Sequence, residues 1–383
     1  MSTRSAYINQ IGAFLPNAPI ANDAMERVLG QVSDRPSRAR RIILRKNGIA
    51  ARHYAIDPAS GEPTHTNAQL AAEAIRRLQD DVFSLARMDC LAASTSLPDQ
   101  LMPSHASMVH GELGSPACEV ISTSGVCVAG MSALKYAAMG VWSGLHQHAV
   151  AAGSELASSI LRASMFEPEV ASQVDALEHS PELAFEKDFL RWMLSDGAGA
   201  MLVEPEPRRS APCLRIEWIE IFSYAHEMPA CMYAGAEKRP DGSLKSWMRY
   251  TPEERAARSI LAVKQDVKLL NAKVVHYTAE RALTDLLARK PIFADEIDHF
   301  VPHYSSDYFR DRLYEGMRKV SFDIPQDRWF TNLATKGNTG SASIYIMLEE
   351  LFHSGSLQSG EKILCYVPES GRFSVAYVLL TVV

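Results

Sequence analysis

The chain has 383 residues, of which 47% are hydrophobic and 22% charged, and a formal net charge of −6. Such a composition is globular and excludes a disordered chain, while the length corresponds to two or three domains or to one duplicated unit. The charge excludes a general basic field for nucleic acid or an anionic membrane, so partners must be read from local patches.

In chain order, apolar runs bounded by turn residues predict strands at 6–14, 90–95, 117–123, 148–153 and 199–204, with helices at 66–86, 103–113 and 128–144. Further along, strands are expected at 213–225, 298–302, 362–367 and 373–382, and helices at 248–286, 305–319 and 341–354. This alternation reads as an α/β chain whose sheets are covered by helices. Residues 1–210 and 211–383 form two halves of similar plan: SGVCVAGMSALKYA and KGNTGSASIYIMLEEL each place a glycine-containing turn before a helix of small residues. Two irregular segments, near 157–195 and 227–256, read as insertions over a site.

Six scattered cysteines without a CxxC pair argue against a disulfide scaffold or a zinc ribbon, and no metal or organic cofactor is indicated. The sequence shows neither a secretory signal nor a run of about 18 apolar residues, so a cytoplasmic protein without membrane contact is expected.

Three residues could carry chemistry. Cys127 follows a strand and a glycine and opens a helix, where the macrodipole and free N–H groups favour thiolate over thiol. His303, in IDHFVPHYSSDYF, stands at the C-terminal edge of a strand, where α/β folds keep their chemistry. Asn338 lies between Gly337 and Gly340 in a turn that starts a helix. Read singly, these are a buried thiol, a capping or solvent-facing imidazole and a helix cap; together they are a nucleophile with two hydrogen-bond donors. Glu155, just beyond a strand, is a further candidate as a general base, against a plain salt bridge to Arg162.

In order and spacing, TSGVCVAGMSALKYA, DGAGAMLVEP, VPHYSSDYF and GNTGSAS resemble the type III β-ketoacyl-ACP synthases, and similarity extends over nearly the whole chain. FLPNAP, NGIAARHYAID and GSELASSILRASMFE further resemble the ketosynthases of dialkylresorcinol and flexirubin clusters. The resemblance implies a thiolase-like duplicated αβαβα layered fold. It also implies an acyl-Cys127 intermediate and a Claisen condensation in which His303 and Asn338 bind the enolate. The narrower resemblance adds closure of a 1,3-cyclohexanedione ring. Met102 matches a position that reaches into the partner subunit, which implies a homodimer. Acyl carrier protein or CoA thioesters would be the substrates, with the basic stretches 35–46 and Arg281, Arg289 and Lys290 as docking patches. The chain departs from the family at Ser306, where the family has asparagine, and at PESGRFS, which replaces a glycine-rich loop. Ester or amide formation on the same fold and a non-catalytic ketosynthase partner are the competing readings.

Overall fold

The computed structural model describes residues 4–32, 40–165, 190–208 and 212–383. Nine strands form one sheet: β1 (Tyr7–Phe14), β2 (Cys90–Thr95), β3 (Glu119–Ser124), β4 (Ala149–Glu155), β5 (Gly197–Glu204), β6 (Leu214–Ser223), β7 (His299–Pro302), β8 (Lys362–Pro368) and β9 (Ser374–Val382). Their order is β7-β8-β9-β6-β1-β5-β4-β2-β3. The sequence expectation of strand positions holds to within a few residues.

The plan repeats. In the first half β2 runs parallel to β3 and β4, and β5 is antiparallel to β4 and β1, giving the order β3-β2-β4-β5-β1. In the second half β7 is parallel to β8, and β9 is antiparallel to β8 and β6. The place of β3 is taken there by a single parallel bridge, Phe300 to Trp329. The pairs Tyr7–Arg215 and Ile8–Leu214, with the Ile216 N–H donating to Ala6 O at 2.9 Å, join the two half-sheets.

Both faces of the inner strands are buried, which is why they read as apolar runs rather than alternations. Ala149 and Ala151 of β4 and Ile363, Cys365 and Val367 of β8 turn to a middle layer of two helices, α3 (Val128–Ser143) and α7 (Ser343–Phe352). Val150 and Ala152 turn the other way, onto the outer helices α1 (Asn67–Arg76) and α2 (His105–Leu113). Leu364 and Tyr366 likewise turn onto α4 (Val267–Val275), α5 (Ala282–Leu287) and α6 (Arg310–Lys319). The layers are therefore α, β, α, β, α.

Glycine permits the middle layer to close: a Cβ on Gly130 of α3 would stand 2.3 Å from the Ser341 carbonyl, and one on Gly199 of β5 2.3 Å from Tyr345 Cβ. GAGA at 197–200 lies within β5.

Two helix expectations are corrected. The one at 66–86 stops at Arg76, after which Asp80 accepts the N–H groups of Val82 (2.8 Å) and Phe83 (2.7 Å) in a turn. The one at 248–286 breaks into a short helix Pro252–Ala257 opened by a Thr251–Glu254 capping box, a strand Lys264–Gln265, and α4 and α5 joined by a π-turn at His276–Arg281. Of the expected insertions, 166–189 lies outside the described residues. The other, 227–256, carries a two-stranded ribbon, Ala236–Lys238 with Leu244–Ser246. Among the described residues, no helix is long and apolar enough to cross a membrane.

Candidate active site

Cys127, Glu155, His303 and Asn338, drawn from both halves, line one cavity of about 260 Å³. Its walls are mainly apolar, with Met193, Leu194, Val263, Leu270, Val274 and Leu313 among them. All four lie at or beyond the C-terminal ends of strands, or at the start of the helix that follows.

Cys127 is the N-cap of α3, helical in backbone (φ −61°, ψ −35°) and buried. The turn before it needs Gly125, whose φ is +153°. None of the six cysteines forms a disulfide among the described residues. The expected thiolate is corrected: burial pushes the Cys127 thiol up, the carboxylates of Glu369 and Glu155 push the same way, and only its own N–H opposes them. Burial and the two carboxylates therefore favour thiol over thiolate at Cys127.

His303 follows β7, and its backbone N–H donates to Tyr366 O at 2.8 Å. Burial brings its imidazole down to about 4, so the ring is neutral at physiological pH.

Asn338 is held by backbone bonds: its N–H donates to Met193 O (3.1 Å) and its carbonyl accepts from Ser195 N–H (2.8 Å). Its Oδ1 accepts from Gly340 N–H at 3.0 Å. Rather than capping a long helix, it forms a turn through its side-chain oxygen, and it lines the cavity.

Glu155 ends β4. The expected pairing with Arg162 does not form; Oε1 instead accepts from the N–H (3.0 Å) and Oγ (2.7 Å) of Ser96 and from the N–H (3.0 Å) and Oγ (2.7 Å) of Ser341. Burial raises its pKa while these bonds lower it. Gly340 (φ +52°) admits it closely, since a Cβ there would lie 2.9 Å from Glu155 Cγ.

Two candidates stay outside. Met102 is 84% exposed. Ser306 is buried but caps a short helical turn, accepting Tyr308 N–H at 3.4 Å, and Ser305 lines the cavity instead. Sequence reasoning missed the partners Ser96 and Ser341, and Glu369, whose Oε2 accepts Val126 N–H at 3.0 Å. The one available signal was the departure PESGRFS, which reads as an altered pocket wall.

Of the basic patch, Arg40 pairs with Glu26, Arg281 with Glu227 and Lys290 with Glu220 (3.1 Å), while Arg289 stacks over Phe222; residues 35–39 lie outside the described residues. Arg40, Arg281 and Lys290 are thus each offset by an acidic neighbour.

Comparison with solved structures decides the fold. Over 98% of this chain and 99% of the other, the molecule superposes on the tetronic acid condensing enzyme AbyA1 with a TM-score of 0.74 at 19% identity. The fold is the thiolase fold. Residues 287–379 match the family model 3-oxoacyl-[acyl-carrier-protein] synthase III C terminal, a stretch that contains His303 and Asn338. The whole thiolase-fold chain is similar to acetoacetyl CoA synthase NphT7 of Streptomyces sp. (strain CL190), 24% identical over 92% of each chain. It is also similar to a β-ketoacyl-[acyl-carrier-protein] synthase III of Sulfurovum sp. (strain NBC37-1), 22% identical over 94% of this chain and 91% of that one.

Proposed function

We propose that the protein is a synthase III-like ketosynthase that joins two acyl thioesters by Claisen condensation through an acyl-Cys127 intermediate. The observation that carries this reading is the convergence of Cys127, His303 and Asn338 on one apolar-walled cavity, with the cysteine at the start of a buried 16-residue helix. The similarity to an acetoacetyl CoA synthase and to a β-ketoacyl-[acyl-carrier-protein] synthase III supports thioester substrates of either kind.

In the first step the Cys127 sulfur adds to the thioester carbonyl; the new C–S bond forms, the old one breaks, and the sulfhydryl proton leaves with the departing thiol. The N–H of Cys127, with one from the Gly371 region, serves the tetrahedral oxyanion. Neutral His303 and the Asn338 amide then donate to the carbonyl oxygen of the second thioester as it becomes an enolate, by loss of CO2 or of an α-proton. The enolate carbon attacks the acyl group, and Cys127 leaves and recovers a proton. Where a β-ketoacyl unit is the nucleophile, Glu155 takes the α-proton: its Oε1 carries four hydrogen bonds, and Oε2 remains for substrate. A second such step on a joined chain would close a 1,3-cyclohexanedione, the dialkylresorcinol precursor.

The same reading takes 1–210 as the half that supplies the thiol and 211–383 as the half that supplies the donors, in a homodimer. Mass spectrometry of products from acyl and β-ketoacyl thioesters tests it. His303→Ala and Asn338→Ala should keep acylation of Cys127 and lose condensation by about 10²–10³-fold. Undiminished product from either variant removes that residue's role, and C–O or C–N products from the wild type select ester or amide transfer instead.

A further inference from the structure

The duplicated plan places a carboxylate at the end of the equivalent strand of each half, β4 and β8. Glu155 is the last residue of β4, and Glu369 follows the last residue of β8. Each reaches across the molecule to the start of the other half's central helix. Glu155 accepts from Ser341 N–H, 186 residues away, in the helical turn Gly340–Ala342 that leads into α7. Glu369 accepts from Val126 N–H, 243 residues away, immediately before Cys127 and α3. The cap residues themselves leave these helix starts open: Cys127 makes no cap hydrogen bond, and neither does Thr339 before the turn or Ala342 before α7, where Asn338 Oδ1 takes only the Gly340 N–H.

The fit around Glu369 is close. Its Oε2 would lie 3.3 Å from a Cβ on Gly125, and its Oε1 3.0 Å from one on Gly371, so glycine on both sides makes room for the carboxylate. The free N–H groups at a helix start attract an anion. Here the protein supplies that anion itself, beside the cysteine the terminus would otherwise ionise.

We propose that Glu369 is the positioning residue of the nucleophile: its carboxylate holds the turn before Cys127 and offsets the positive end of α3. The inference deepens the reading of Cys127 as nucleophile and rests on it. The groups facing the sulfur are Glu369 from the β8–β9 turn, Glu155 from β4 and, across the cavity, the neutral His303. Burial and both carboxylates act in one direction on the thiol, so removing one charge lowers its ionisation midpoint.

The test is the pH profile of iodoacetamide alkylation, read at the Cys127 peptide by mass spectrometry because five other thiols are present, with Cys127→Ala as blank. For Glu369→Gln, the midpoint should fall by about one pH unit and the rate at pH 7 should rise about tenfold. Glu369→Asp, which keeps the charge, should stay near the wild-type profile. Should the Gln variant fail to fold, Glu369→Ser carries the same expectation. An unchanged profile in a folded neutral variant overturns the proposal. Thioester acylation measured on the same samples separates the two readings: acylation without a profile shift retires Glu369 alone, and a shift without acylation retires the ketosynthase reading alone.

Discussion

His303 shows how one buried side chain ties chemistry to stability. The unfolded chain protonates this histidine near pH 6.5, its ordinary value, and the folded protein only near 4. The unfolded state therefore binds more protons in that window, and stability falls as the pH drops from about 6.5 towards 4. His303→Gln should soften the loss of folding stability between pH 7 and pH 4.5 by about 2–3 kcal/mol, read from urea midpoints at the two pH values; an equal loss in both proteins contradicts a neutral buried imidazole. Of the site's residues, Cys127, His303 and Asn338 were legible because each sits at a glycine or proline punctuation beside a strand or helix. Glu369 was not, because its partner lies 243 positions away and the PESGRFS departure marks an altered wall rather than a carboxylate that reaches across a fold. The Arg162 expectation failed for a related reason: Glu155 is satisfied by Ser96 and Ser341, which meet only when the two halves close.

At the scale of elements, strands were easier to read than helices. Runs such as HAVAAG and KILCYV are buried on both faces and leave a continuous apolar signal. The stretch 248–286 is rich in helix formers, yet the Thr251 cap, the Lys264–Gln265 pairing with Met232–Tyr233 and the π-turn divide it; tertiary contacts overrode propensity there. The contact of α3 with the turn leading into α7 is the tightest constraint on the site, since Ser341 both faces Gly130 and holds Glu155. Gly130→Ala would drive a methyl group against the Ser341 carbonyl and the Tyr345 ring, which itself donates to Gly130 O at 2.7 Å. It should cost about 1–3 kcal/mol in folding stability, measured by urea unfolding, and lower condensation through Glu155. A variant as stable and as active as the wild type would show that the two helices can separate at no cost.

For the molecule as a whole, the sequence predicted the layered α/β fold and its duplication, but not that one strand of the second half shrinks to the bridge at Trp329. Among the described residues β3 is the outer, unpaired edge of the first half, and the loop before α2 leaves Leu101 and Met102 76% and 84% exposed. An open strand edge beside exposed apolar side chains suits a second copy of the chain. Analytical ultracentrifugation should give twice the 42.3 kDa chain mass, reduced in Met102→Glu; a monomeric wild type contradicts the dimer. The whole account turns on a covalent acyl group at Cys127. Intact-mass spectrometry of wild type and Cys127→Ala after incubation with a panel of acyl-carrier and acyl-CoA thioesters measures it directly. The account predicts one acyl adduct on the wild type and none on the variant; equal labelling of the two, or no labelling of either, contradicts it.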